Sequence, residues 1–233
     1  MSNLKIVAEL ASPVAFAGFL TIEGPLSYAV MKEKLGDDYE HADDISQLTE
    51  VPIPVKKWEG LYKASCGFIS GKETKVIYHK KWEEGYDDLV NFRGRREKIT
   101  VGTGQFKSYS MPLKVYSTTK VVFFVDGDKR EIERLLKYVP RLGKKASQGY
   151  GIVKKWRVEE IEKDLSVLMR IETDTSTMIR AMRAIPVEIA MRHNISGLVM
   201  FAAYKNPFWN PENMTKCIVP EVNLERDPEE VFL

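Results

Sequence analysis

The sequence predicts an α+β protein: a βαββαβ unit, the split βαβ or ferredoxin-like arrangement, with an inserted hairpin and a packed C-terminal appendage. Three observations carry this prediction. "TKVVFFVDGD" leading into "KREIERLLKYV" reads as a short apolar strand feeding a capped helix. A similar strand and helix open the chain. Between Trp82 and Thr119, "NFRGRREKITVGTGQFKSYSMP" combines glycines with a basic cluster and fits no packed element.

Taken in order, "LKIVAELASPV" is an opening strand stopped by Pro13, with Lys5 and Glu9 set among Leu4, Ile6 and Leu10. "GPLSYAVMKEKLG" follows as a helix, with Pro25 at its start and Gly36 at its end. The acidic run 37–44 is a solvated loop. "LYKASCGFI" (61–69) and "KVIYHKKW" (75–82) are strand candidates, and a projecting flap occupies about 82–119. In the next unit Asp128 caps a helix with Glu131 in the capping-box position. Ile132, Leu135, Leu136 and Val139 then share one helical face. Pro140 and Gly143 stop that helix, and "YGIVKKWRVEEI" is the last strand of the unit. Domain-size priors divide the chain at 1–164 and 165–233, the second part being apolar enough to pack against the first.

Net charge is only +2, so attraction to a polyanion must come from local clustering. The two cysteines, Cys66 and Cys217, lack CxxC spacing and favour a reducing compartment. Glu9 and Pro13 interrupt the apolar N-terminal run, so it does not read as a signal peptide. No apolar stretch approaches the ~18 residues of a membrane span. A cytoplasmic protein without membrane contact is the expectation.

Residues 141–157, "RLGKKASQGYGIVKKWR", carry basic side chains and no acidic one. Gly143, Gly149 and Gly151 permit positive φ and close approach of main-chain N–H groups to a ligand. Such a loop makes a nest for phosphate oxygens, to which Arg141, Lys144 and Lys145 add charge. Ser147 and Gln148 can donate hydrogen bonds, and Tyr150 can stack on an unpaired base. The P-loop pattern needs its lysine after the second glycine and a helix beyond. Here the lysines precede that glycine and a strand follows, so this is not a nucleotide-hydrolysis loop, and the dinucleotide fingerprint fails for the same reason. A basic, solvated helix-to-strand turn is the competing reading.

"LGKKASQGYGIV" resembles the glycine-rich loop of the RAMP proteins of CRISPR effector complexes. With "AELASPV", "GPLSYAV", "LYKASCGF" and "YKNPFWNPENMTKCIVPE", the chain is similar over nearly its whole length to the type IV CRISPR effector subunit that caps the guide-RNA 5′ handle. The resemblance implies a ferredoxin-like (RRM-like) RAMP domain whose loop holds the RNA backbone and whose thumb passes between guide nucleotides. By position, Arg141, Lys144, Lys145, Ser147, Gln148, Gly149, Tyr150 and Gly151 belong to the loop. Arg93, Arg95, Arg96 and Lys98 belong to the thumb. The implied partners are the crRNA 5′ handle, the backbone subunits of the same complex and, through the assembly, target nucleic acid. Ala146 and Gln148 depart from the commoner RAMP loop, which has small and basic residues there.

Some relatives of this subunit process guide precursors with a tyrosine, a lysine and a histidine. That chemistry needs a base, an acid and a cation around one phosphate. His41 sits in the acidic loop and His193 in an apolar run. His79 is the serious candidate, yet on a strand it points away from Tyr78. No His or Cys pair has metal-ligand spacing, and no cofactor is expected. Trp58, Trp82 and Trp209 read as core or subunit contacts rather than base stackers, while Trp156 fits either role. The expectation is a non-catalytic RNA-binding subunit; the competitor is a metal-independent endoribonuclease on the same fold.

Overall fold

The computed structural model of the protein describes residues 1–36, 51–83, 85, 99–104, 106–172 and 177–233. Among these the chain is a mixed α/β fold of several small antiparallel sheets and four helices. In order they are β1 (Ser2–Leu10), β2 (Val14–Ala15), α1 (Glu23–Leu35), β3 (Lys57–Trp58), β4 (Leu61–Tyr62), β5 (Lys72–Lys80), β6 (Tyr109–Ser117), β7 (Lys120–Gly127) and α2 (Lys129–Leu136). There follow β8 (Val153–Glu160), β9 (Leu168–Glu172), β10 (Thr177–Ala181), β11 (Ile185–Pro186), α3 (Val187–Arg192), β12 (Leu198–Ala203), β13 (Met214–Val219) and α4 (Pro228–Phe232).

β1 is the middle strand of a β7–β1–β8 sheet and is antiparallel to both neighbours. Residues 64–69 run along the free side of β7, bridging Ala64 to Val125 and Phe68 to Val122. They do not form a regular strand, because their remaining backbone groups turn elsewhere. Cys66 N–H donates to Met182 O and Gly67 N–H to Leu20 O. Ser65 Oγ accepts from the Phe124 N–H at 2.9 Å.

Apolar groups cover both faces of this sheet. Leu4, Ile6, Val121, Phe123 and Val125 pack beneath Leu26 and Ala29 of α1 and Ile132 and Leu135 of α2. Val7, Val122 and Phe124 pack on the opposite face against Leu165, Met182 and Phe232. A strand buried on both faces reads as an unbroken apolar run, which is why "KVVFFV" shows no alternation. Full burial of each large side chain contributes about 1.5–3 kcal/mol. The helix cap is as expected in part: the Asp128 carboxylate accepts from the Glu131 N–H at 3.1 Å. The reciprocal half of a capping box is absent. Glu131 instead pairs with Arg134 at 2.7 Å, and the Asp128 N–H donates to Pro54 O.

β5 pairs with β6 along its whole length, from Lys72–Ser117 to Lys80–Tyr109. The strand expected at 75–82 is therefore present but belongs to this ribbon, not to the β7–β1–β8 sheet. Nearly all of β5 is exposed, as its charged residues on both faces require. At the root of the ribbon, Val14 and Ala15 of β2 pair with Tyr116 and Val115.

The C-terminal residues form a β11–β13–β12 sheet and a β9–β10 hairpin. Their attachment includes a buried ion pair, Arg183 to Glu23 of α1 at 2.8 Å. Arg183 also donates to the carbonyl oxygens of Tyr62 and, at 2.6 Å, Tyr204.

Candidate nucleic-acid interface

The loop after α2 has a closed neck. Leu142 N–H donates to Gly151 O at 2.8 Å and Val153 N–H to Pro140 O at 2.9 Å. The neck is also sewn to the segment following β1. Gly151 N–H donates to Pro13 O, Lys144 N–H to Ala15 O, and Ile152 N–H to Ser12 Oγ. Gly151 has φ +64°, and a Cβ there would overlap the Leu142 carbonyl oxygen. Gly143, at φ +78°, likewise leaves no room for a Cβ beside Ala15 O. Both positions therefore need glycine.

Above the neck, Lys145 takes the left-handed conformation (φ 59°) and Ala146–Gln148 forms one 3-10 turn. Hydrogen bonds within the turn run from Gln148 N–H to Lys145 O and from Gly149 N–H to Ala146 O. The N–H groups of Lys145, Ala146 and Ser147 have no acceptor among the described residues. A left-handed residue followed by helical ones turns successive N–H groups toward one concavity, a nest for an anion. Arg141 braces the turn by donating to Ala146 O. Arg141 and Lys144 are exposed and form no ion pair among the described residues. Ser147 and Gln148 are exposed beside them.

Two residues tie the loop to the ribbon. Lys145 Nζ lies 3.8 Å from the Tyr78 ring centroid and 6.0 Å from that of Tyr109. Tyr150 is half-buried against Ala15, Leu113 and Val115. On the other face of β5, His79 Nδ1 lies 2.8 Å from Ser110 Oγ. Loop, ribbon root and β2 thus form one connected unit.

Beside the loop opens a cleft of about 960 Å³, bounded by Arg141 and Lys144, the start of α1, and β12 with Trp209. Among the described residues no carboxylate lines it.

The expected thumb residues Arg93, Arg95, Arg96 and Lys98, like His41, lie outside the described residues. His193 faces Glu59 at 3.2 Å and packs on Trp58. Trp156 is half-buried, its indole N–H donating to Val139 O at 2.9 Å. Burial pushes the Cys66 thiol up to about 12 and that of Cys217 to about 11, so neither is nucleophilic at neutral pH. Among the described residues no group of three or more His, Cys, Asp or Glu could hold a metal ion. Among them, too, no helix is long and apolar enough to cross a membrane.

A family model described as CRISPR type IV associated protein Csf3 matches residues 2–220. The chain belongs to the Csf3 family. Among curated proteins there is no match. The Csf3 match runs from β1 through β13, so the loop, the ribbon and the C-terminal sheet all fall inside it.

Sequence reasoning missed two features of this Csf3-family chain. The contact of Lys145 with Tyr78 joins residues far apart in the chain, and no local signal announces it. Phe201 sits in an apolar run and Trp209 reads as a core or subunit contact; the sequence does not show that both lie at the surface, 70% and 62% exposed. The one available signal was the absence of any charge in "GLVMFAAY", which suits a buried strand equally well.

Proposed function

We propose that this type IV CRISPR-associated component is a non-catalytic RNA-binding subunit that caps the 5′ handle of the guide and abuts the first backbone subunit. The observation that carries the reading is the run of N–H groups at Lys145–Ser147 that have no acceptor among the described residues, set among Arg141 and Lys144 with no acidic neighbour in the loop. Phosphate contacts of this kind position RNA without reading its sequence. The strand order β8–β1–β7 with 64–69 beyond β7, and both long helices on one face, supports a ferredoxin-like RAMP body. The β5–β6 ribbon then serves as the root of the thumb, Arg93, Arg95, Arg96 and Lys98 falling in the chain between its two strands.

A capping role without cleavage is supported by the divergence of the candidate groups. Tyr78 turns to Lys145 and His79 to Ser110, so tyrosine and histidine do not converge on one phosphate.

The test is isolation of the chain with its complex, followed by extraction of nucleic acid. A discrete short RNA with a uniform 5′ end is the expected result; protein free of RNA overturns the proposal. Incubation of the purified chain with labelled repeat RNA in EDTA addresses cleavage, and a specific cut would establish the endoribonuclease instead.

A further inference from the structure

We infer that the cleft between the glycine loop and β12 receives an unpaired base of the bound RNA, stacked on the C-terminal sheet while the loop holds the adjoining phosphate. The inference rests on the RNA-binding reading above and adds to it a second, base-binding site.

The two walls of the cleft differ in chemistry. One carries Arg141 and Lys144, the only charged residues that line it among the described residues. The other presents Phe201 and Trp209, joined by Phe208 and, from α1, Tyr28. Rings this exposed are not core: Phe201 is 70% and Trp209 62% accessible. The volume of about 960 Å³ lies within the ~300–1,000 Å³ typical of small-ligand sites. The first turn of α1 closes one end, which places the positive end of a 13-residue helix at the same opening.

Charge decides the occupant. An apolar protein segment would cover the aromatic wall but would bury Arg141 and Lys144 without a counter-charge, which is strongly unfavourable. A nucleotide satisfies both walls, its phosphate meeting the cations and its base the rings. Stacking needs no particular base, so the site accepts RNA by its unpaired state.

The experiment binds the full chain to single-stranded RNA of its own array's repeat sequence, with 4-thiouridine placed singly along it. Long-wavelength crosslinking followed by peptide mapping should locate adducts in 198–209. In parallel, replacing both rings (Phe201→Ala with Trp209→Ala) should weaken binding about 10-fold, with an unchanged salt slope because every phosphate-binding cation is retained. Wild-type chain that binds no RNA overturns the RNA-binding reading and this inference together. Wild-type chain that binds, with adducts only outside 198–209 and an unaffected double variant, overturns the inference alone. So does a double variant that keeps its RNA but no longer assembles with backbone subunits, which would make the cleft a protein seat. The crosslinks are mapped on wild-type protein, so the result does not hang on the folding of a variant.

Discussion

The Nζ of Lys145 lies 3.8 Å from the centroid of the Tyr78 ring, which docks the crown of the glycine loop on the first strand of the ribbon. An interaction of this type contributes about 0.5–2 kcal/mol, the upper end when desolvated. Tyr78 is half-buried, whereas the rest of its strand is exposed, so this interaction and the packing of Tyr150 register the ribbon against the loop. Replacement of the ring by Tyr78→Leu should leave the fold intact and release the crown. The expected outcome is faster amide hydrogen exchange at 144–148 with global stability changed by no more than about 1–2 kcal/mol. Exchange identical to wild type would remove Tyr78 from the loop's support.

The glycines of the loop make unequal demands. Gly149 has φ +88° with open space around its Cα, so Gly149→Ala meets only the left-handed penalty of roughly 1–2 kcal/mol. Gly151→Ala adds overlap with the Leu142 carbonyl in the closed neck and must displace it. Denaturant unfolding should rank the two variants with Gly151→Ala clearly the less stable, and equal losses would contradict the neck geometry.

Local rules were readable in the chain, and non-local pairings were not. The Asp128 cap and the Ile132, Leu135 and Leu136 face obey spacing within a few residues, and both are present. The apolar character of 61–69 was evident too. Its irregular path was not, because that depends on Leu20 and Met182 drawing away the N–H groups of Gly67 and Cys66. The strand at Lys72–Lys80 was visible as a strand, but its partner Tyr109–Ser117 lies far along the chain. Gly143, Gly149 and Gly151 announced a loop of positive φ, and all three adopt it. The cleft was invisible for a similar reason, being assembled from α1, the loop and β12.

Glu229 of α4 ties three strands of the central sheet to the C-terminus. Its carboxylate meets Lys120 at 2.6 Å, Lys5 at 2.7 Å and Arg157 at 3.5 Å. Burial would raise its pKa, but hydrogen bonds from Lys120 and Lys5 outweigh it and hold the group at about 2. A depressed carboxylate contributes its stability above the unfolded value of 4.5 and loses it as pH falls toward the folded one. Stability should therefore decline between about pH 4.5 and pH 2, by on the order of 2–3 kcal/mol from this group. Glu229→Gln should be less stable at pH 7 and flatter through that acid range, as read by thermal unfolding at several pH values. A variant curve parallel to wild type would refute the assignment.

The buried pair Glu23–Arg183 makes a different prediction. Removal of one partner strands the other charge in the interior at a cost of about 3–5 kcal/mol. Arg183→Met should thus be severely destabilised, and adding Glu23→Gln should restore the part due to the stranded charge but not the part due to the carbonyl oxygens of Tyr62 and Tyr204. A double variant as unstable as the sum of the single ones would show that the pair is not coupled.

The most direct test of the central claim, that the glycine loop grips the RNA backbone, is the salt dependence of repeat-RNA binding in wild type and in a Lys144→Ala, Lys145→Ala double variant. Each phosphate that a protein cation neutralises on a single strand adds about 0.7 to the log–log slope. Weaker binding and a slope shallower by about 0.7 to 1.4, with far-UV circular dichroism unchanged, are expected. Equal affinity and an equal slope in the folded variant would place the RNA elsewhere on the molecule and contradict the account.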